Sequence, residues 1–237
     1  MKNSVENKIF VGTSGWAYSW NEGGNFEWFV KESNLNAIEL NASFYRFPLS
    51  SHINSWAKKT FNLRWSVKVN QFITHVFKFS EKAFFTWEKF KNLFRPLENF
   101  IDFYLFQTPP NFSDKNREKL EKFIKFTNLK EKFAFEPREK SWFKKENYKW
   151  AKNLNITWVS MDAPIFPRDI INLNGIVYLR MHGRTDWYSH YYEDEELKEI
   201  AERIIKTKPE KIYVFFNNNH SMLENARKMK KILESSV

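Results

Sequence analysis

The sequence predicts a parallel, eight-stranded (β/α)8 barrel of the TIM type. Eight short runs rich in β-branched and aromatic residues alternate with segments of helical spacing. Alternation of strands and helices is typical of a parallel sheet. Eight such units in 237 residues match the usual size of a TIM barrel, about 250 residues. An open doubly wound sheet is the competing fold.

The predicted strands share an apolar beginning and a polar end, and no proline interrupts the middle of any of them. They cover residues 8–15, 37–43, 64–70, 102–109, 132–138, 157–163, 176–183 and 211–218.

Most segments between these runs have apolar residues at helical spacing, such as Leu197, Ile200 and Ile204. Ser221 and Glu224 predict a capping box at the start of the last helix. The exception is the sixth interval, because Thr157 to Ile176 leaves too little chain for a full strand and a full helix. It contains "PIFPRDIINLN", with two prolines. We therefore expect a shortened or irregular sixth βα unit.

Residues 1–237 are predicted to form a single domain, since no linker, low-complexity tract or strong repeat interrupts them. The chain has no cysteine, which excludes disulfides and thiolate metal sites. No apolar stretch approaches 18 residues, so no membrane span and no membrane partner are expected. The first residues lack the apolar core of a signal peptide, and we expect a cytoplasmic protein.

The chain is basic, with 38 Lys and Arg against 28 Asp and Glu and a net charge of +10. Such an excess attracts anions, so an anionic small molecule or a nucleic acid is the expected partner. A lysine-rich surface without any polyanionic partner is the alternative.

Polar residues at the strand ends are often two positions apart, as in Glu39 with Asn41, or Arg180 with His182. That spacing places both side chains on one face of a strand. In a barrel this face points inward, and active sites lie at the carboxyl ends of the strands. A plug of compensating salt bridges is the structural alternative. The same pattern recurs in Lys68 with Asn70, Glu136 with Arg138, and Ser160 with Asp162.

Seven motifs, in this order, resemble those of domain-of-unknown-function family 72, the YecE-like family. They are "VGTSGWAYSW", "IELNASFYRFP", "VKVNQFITH", "FQTPPNF", "FEPREKSW", "RMHGR" and "VFFNNNHSMLENA", and they extend from about residue 9 to residue 227. The resemblance implies a TIM-like barrel and a polar site, but no particular reaction. Matching positions that we take as candidate site residues include Ser14, Trp16, Glu39, Asn41, Tyr45, Lys68, His75, Gln107, Glu136, Arg138, Asp162, Arg180, His182, Arg184, Asn217 and Asn218.

Anion binding is the first interpretation of these residues. Barrels often hold phosphate at the loops after strands seven and eight, near a helix N-terminus. There, Arg180, Arg184 and Asn217 are expected to hold a phosphate. Ser14, Trp16, Asn41, Tyr45, His75, Gln107, Arg138 and Asn218 complete the predicted substrate-binding set.

The catalytic residues predicted for a hydrolase or lyase acting on a phosphate-bearing substrate, such as a nucleic acid, come from several strands. Glu136 or Asp162 is expected to act as base or metal ligand, and His182 as acid or ligand. Lys68 would stabilise developing negative charge. Glu39 completes the predicted catalytic set.

Three further interpretations stay open. A divalent metal ion, the only cofactor that the sequence suggests, would be held by Glu39, Glu136, Asp162 and His182. Glu39 and Glu136 could instead act as the carboxylate pair of a carbohydrate-active enzyme. A non-catalytic nucleic-acid-binding or scaffold protein is the alternative from another functional class.

Overall fold

A computed structural model describes residues 8–236 of the chain. Its eight strands follow one another in sequence order around a closed barrel, and the paired neighbours run parallel. The prediction of a (β/α)8 barrel is therefore confirmed. The strands are β1 (Ile9–Thr13), β2 (Ala37–Leu40), β3 (Arg64–Lys68), β4 (Ile101–Gln107), β5 (Phe133–Glu136), β6 (Thr157–Asp162), β7 (Ile176–Met181) and β8 (Lys211–Phe216).

Helices follow the strands, with one exception. Residues 163–175, all of them described, contain no helix, so the irregular sixth unit is also confirmed. The helices are α1 (Phe26–Glu32), α2 (Ala42–Tyr45), α3 (Ser50–Lys59), α4 (Glu81–Leu93), α5 (Arg117–Thr127), α6 (Lys145–Asn153), α7 (Asp194–Lys206) and α8 (Met222–Ser235).

The capping box predicted for the last helix is wrong. Helix α8 begins at Met222, directly after Ser221, but the Ser221 side chain makes no capping hydrogen bond. The Glu224 carboxylate instead accepts a hydrogen bond from the Tyr191 hydroxyl at 2.6 Å. Glu224 therefore contacts a tyrosine from another segment instead of capping its own helix.

Contacts within the chain divide it into two compact units. Unit A contains the described residues up to Glu39, residues 62–64 and those from Val159 onward. Unit B contains residues 40–61 and 65–158. The single domain over residues 1–237 stays a prediction.

Unit A is packed by apolar side chains from its strands and from the last two helices. Val177, Val214 and Met229 are completely buried. Strands β1 and β2 approach so closely that a Cβ atom on Gly12 would lie 2.2 Å from the carbonyl oxygen of Ala37. Only glycine fits at this position.

Unit B has an aromatic core. The rings of Phe106 and Phe133 stack with centroids 3.8 Å apart, and Trp87 packs edge-on against Tyr104 at 5.0 Å. Edge-on and offset ring pairs stabilise a core beyond the area that they bury. This packing fixes strands β4 and β5, whose last residues are polar.

Between residues 8 and 236, no helix is both long enough and apolar enough to cross a membrane.

Candidate functional site

In unit A, the strand-end charges form buried, hydrogen-bonded pairs. Glu39 on β2 accepts hydrogen bonds from Arg180 at 2.6 Å, Tyr178 at 2.7 Å and Ser14 at 2.8 Å. Neither the Glu39 nor the Arg180 side chain is exposed to solvent. Three donors satisfy the Glu39 carboxylate, and the Arg180 guanidinium lies against it rather than at a surface.

A second pair links Asp162, the last residue of β6, to Arg184. The Arg184 Nε donates to the Asp162 carboxylate at 3.2 Å, and the same guanidinium contacts Glu199 and lies 3.7 Å from Glu196. The Tyr192 hydroxyl donates to Asp162 at 2.9 Å, and burial followed by the Asp162 charge raises the pKa of Tyr192. Carboxylates therefore already surround Arg184.

His182 is buried and directly follows β7. Its Nδ1 lies 3.2 Å from the side-chain amide of Asn217, and its ring packs 5.4 Å from Trp187 and 5.6 Å from Tyr188. Asn218 donates to the carbonyl of His190 at 2.8 Å. Both asparagines thus stabilise the loops of unit A, which gives no support to a phosphate site there.

In unit B, Glu136 at the end of β5 positions two polar neighbours. Its Oε1 accepts a hydrogen bond from Gln107 at 2.9 Å and from Arg138 at 2.5 Å. The Glu136 side chain is fully buried, whereas that of Arg138 is 11% exposed. The carboxylate orients the guanidinium and leaves its edge close to solvent.

Lys68, the last residue of β3, lies on an aromatic platform. Its Nζ is 4.3 Å from the centroid of the Phe44 ring, a cation–π contact. The Phe44 ring in turn packs edge-on against His75, with centroids 4.9 Å apart. The Ser43 hydroxyl donates to the Lys68 carbonyl at 2.6 Å, which ties helix α2 to the end of β3.

His75 lies in a short π-helix, Phe72–Val76. Two non-glycine residues with positive φ follow it, Lys78 at 44° and Phe79 at 60°. Short π-helices occur frequently at functional sites, as does unfavourable backbone geometry. The Thr74 hydroxyl lies 2.8 Å from Nδ1 of His75 and fixes the ring.

The environment of His75 is positively charged. Burial, followed by the charges of Lys68, Lys78 and Arg138, lowers the pKa of His75 to about 4, and Glu136 opposes this only in part. The imidazole is therefore neutral near pH 7. We call Lys68, His75, Lys78, Glu136 and Arg138 the cationic cluster.

The remaining predicted residues occupy different surroundings. Asn41 precedes helix α2, and its Oδ1 is buried with no hydrogen-bond partner among the described residues. Tyr45 ends the same helix and is 70% exposed. Trp16, in unit A, packs against Phe26 with centroids 4.9 Å apart.

The metal interpretation has no geometric support, because no group of three or more His, Asp or Glu residues within 8–236 is placed to hold a metal ion. Each carboxylate proposed as a ligand instead accepts hydrogen bonds from arginine, amide or hydroxyl donors, as described above.

Sequence reasoning missed several partners at these sites. Tyr178 lies two residues before Arg180, so the spacing rule that found Arg180 could have found it too. Phe44 lies in the motif "IELNASFYRFP" that carries the family resemblance, although its contact with Lys68 was not predicted. Lys78 had no such signal, because it lies on no strand and the π-helix has no apolar periodicity of its own.

Comparison with known proteins gives a family and a fold. The model of a family described as protein of unknown function DUF72 matches residues 10–237. No match was found among curated proteins.

Solved structures with the same architecture include two from that family. A DUF72 family protein from Thermotoga maritima is 29% identical, with 96% of this chain and 99% of that chain covered and a TM-score of 0.84. One from Enterococcus faecalis is 22% identical, with 95% of each chain covered and a TM-score of 0.79. A xylose isomerase domain containing protein from Salmonella typhimurium is 13% identical, covers 100% and 98% and has a TM-score of 0.56, and it shares the fold alone.

Proposed function

This chain belongs to the DUF72 family of proteins of unknown function, and from that premise we propose that it binds a phosphate-bearing substrate at the cationic cluster and hydrolyses it or eliminates its phosphate. The observation that carries the proposal is that Lys68 Nζ and the His75 ring both contact the Phe44 ring, at 4.3 Å and 4.9 Å. The charges of Lys68, Lys78 and Arg138 also lower the pKa of His75. A bound dianion would be attracted by all three cations.

The cluster supplies the groups that phosphate-ester chemistry requires. Arg138 offers a planar fork for phosphate oxygens, oriented by Glu136. Lys68 adds a point charge held in place by the Phe44 ring. These two groups bind the phosphate and stabilise the charge that develops on it.

His75 would act as the general base. In hydrolysis it takes a proton from the attacking water, whose oxygen bonds to phosphorus while the P–O ester bond breaks, and the resulting imidazolium gives that proton to the leaving oxygen. In elimination it takes a proton from the carbon next to the one that carries the phosphate, the C–H electron pair forms a carbon–carbon double bond, and the C–O bond breaks to release phosphate. A bound dianion offsets the neighbouring cations, so its arrival raises the pKa of His75 towards the working pH.

This assignment differs from the one made on sequence alone. Arg180 and Arg184 were expected to hold the phosphate, but both contact carboxylates in unit A. Placing an anion beside them would require breaking a buried pair, which costs several kcal/mol. In unit B, Arg138 also contacts a carboxylate, that of Glu136, whereas Lys68 Nζ lies against the Phe44 ring.

Isothermal titration with sulfate, which stays dianionic from pH 4 to 9, tests the binding half of the proposal. We expect Lys68→Met to weaken sulfate binding about tenfold or more, because one of three cations is lost while the apolar stem is kept. Lys58→Met, on the exposed face of α3, makes the same charge change elsewhere in unit B. Equal affinities in the two variants would overturn the site.

Release of inorganic phosphate from para-nitrophenyl phosphate tests the catalytic half. His75→Gln should abolish release while sulfate affinity stays within about twofold, because glutamine keeps a polar group but cannot accept the proton. Sulfate binding without any phosphate release by the unaltered protein would refute hydrolysis, because para-nitrophenyl phosphate can lose its phosphate only in that way.

A non-catalytic nucleic-acid-binding protein is the second candidate. It is favoured by the charge of unit B, which has 22 Lys and Arg against 11 Asp and Glu. Backbone-driven binding to a nucleic acid weakens steeply with salt. Binding of an oligonucleotide that falls with salt and is unchanged in His75→Gln, with no turnover, would favour this candidate.

A further inference from the structure

We propose that the ligand carries a planar ring beside its phosphate, and that Tyr45 provides the surface on which this ring stacks. The inference rests on the proposed function, since it names the class of ligand for the same cluster. A phosphate joined through a sugar to a planar base is a nucleotide. A free nucleotide and a single strand of nucleic acid are two sources of this same chemistry.

The Phe44 ring connects Tyr45 to the cationic cluster. Lys68 Nζ contacts the Phe44 ring at 4.3 Å, and the His75 ring packs edge-on against it at 4.9 Å. Tyr45 packs on the same ring at 5.1 Å, with an interplanar angle of 89°. Lys68 and Tyr45 are therefore a single ring apart.

Phe44 and Tyr45 differ sharply in exposure, although they are neighbours on α2. Phe44 is 8% exposed and Tyr45 is 70% exposed. Phe44 is thus the support for the cluster, whereas Tyr45 presents its ring to solvent. A tyrosine ring at such a position can cover a planar group with little further loss of conformational freedom.

Apolar side chains also flank His75 on its own segment. Phe72, three residues before it, is 48% exposed, and Val76, directly after it, is 56% exposed. Inorganic phosphate needs no apolar contact, so these side chains fit a ligand with an organic part. Stacking of a base on an aromatic side chain contributes about 1–3 kcal/mol.

The positive charges near Tyr45 and His75 favour an anionic ring compound over a neutral one. Arg46, the residue after Tyr45, is exposed, and Lys68, Lys78 and Arg138 act on His75. A nucleotide meets both requirements, because its phosphate suits the cations and its base suits the ring.

The experiment compares adenosine 5′-monophosphate with ribose 5-phosphate by isothermal titration. Both carry the same sugar phosphate, and only the first carries a base. We expect the nucleotide to bind about fivefold tighter or more, as one stacking contact implies. Tyr45→Ala should remove that preference and leave the affinity for ribose 5-phosphate within about twofold.

Phe61→Ala is the matched control, because Phe61 is 76% exposed and lies in unit B without a ring contact to the cluster. It should leave both affinities unchanged. Equal affinities for the two ligands, or a preference that survives Tyr45→Ala, would overturn the inference while leaving the phosphate site standing. If the phosphate site itself is wrongly assigned, Lys68→Met will instead bind sulfate as tightly as the unaltered protein does.

A thymidine octanucleotide separates the two sources of the same chemistry. If it binds tighter than the mononucleotide, with a steeper salt dependence, and Tyr45→Ala weakens it, the ligand is a single strand. If the mononucleotide binds tighter, the ligand is a free nucleotide. Failure of Tyr45→Ala to weaken either ligand contradicts the stacking role.

Discussion

Unit A and unit B end their strands with the same kinds of residue, yet they use them differently. In unit A, Glu39 and Arg180 are both fully buried and bound to each other. In unit B, the charges of Lys68 and Arg138 lower the pKa of His75, and Arg138 contacts the carboxylate of Glu136. In the first arrangement the two charges neutralise each other, and we propose that the second attracts an anion.

The charge of the chain follows the same division. Unit B has 22 Lys and Arg against 11 Asp and Glu, whereas the rest of the chain has 16 against 17. The whole net charge of +10 is therefore contributed by unit B. Polar residues two apart on a strand do not by themselves mark a ligand site. What differs between the two units is their ratio of Lys and Arg to Asp and Glu.

The largest effect that tests this comparison is expected from Glu39→Ala. The substitution leaves Arg180 buried without its carboxylate, so the free energy of unfolding should fall by about 3–5 kcal/mol. Urea denaturation measures it. Glu27→Ala removes an exposed pair with Lys31 and should cost much less, because solvent screens exposed pairs. A cost below about 1 kcal/mol for Glu39→Ala would show that the pair in unit A is not a closed structural element.

A smaller effect is expected from Asp162→Asn. Asparagine can still accept the hydrogen bond from Tyr192 but no longer neutralises Arg184, whose other carboxylate partners are more exposed. We expect a loss of about 1–3 kcal/mol in the free energy of unfolding. Asp194→Asn, which alters the exposed contact with Lys228, is the matched control. Equal costs in the two variants would mean that Asp162 is no more structural than a surface residue.

The smallest effect concerns the pH dependence of stability. Because the pKa of His75 is lowered to about 4 in the folded protein, against about 6.5 when unfolded, the unfolded state binds more protons between these values. The neutral His75 side chain therefore makes its full contribution to stability above pH 6.5, and this contribution is lost as pH falls towards 4.

His75→Gln should remove about 1–2 kcal/mol of this pH dependence, since solvent screens a half-buried group. Thermal unfolding at pH 7 and pH 4.5 measures the difference. His52→Gln, at an exposed position on α3, should leave the dependence unchanged. If the pH dependence of stability in His75→Gln matches that of the unaltered protein, the neighbouring cations do not lower the pKa of His75.

Much of this architecture could be predicted from the sequence, because strand periodicity and helix spacing are local properties. Seven of the eight strands lie within the predicted runs, and β4 begins at Ile101, one residue before its run. The spacing of two placed Glu39, Lys68, Glu136 and Arg180 at strand ends. The missing sixth helix followed from chain length and two prolines.

The pairing of charges could not be predicted in the same way. Spacing along one strand fixes a face, but the partner of Arg180 is on β2, 141 residues away, and is chosen by side-chain reach across the sheet. The surroundings of His75 depend on the π-helix and on Phe44 from another segment. For the same reason, local spacing wrongly predicted the capping box at Ser221.

The most direct test of the central claim is an NMR titration of the His75 imidazole with pH, with and without sulfate. His75→Gln assigns the resonance. We predict a pKa near 4 without sulfate, for the cause given above, and a clear rise when sulfate is bound, because a dianion offsets the cations. An imidazole that titrates near 6.5 and does not respond to sulfate would contradict a cationic ligand site in unit B.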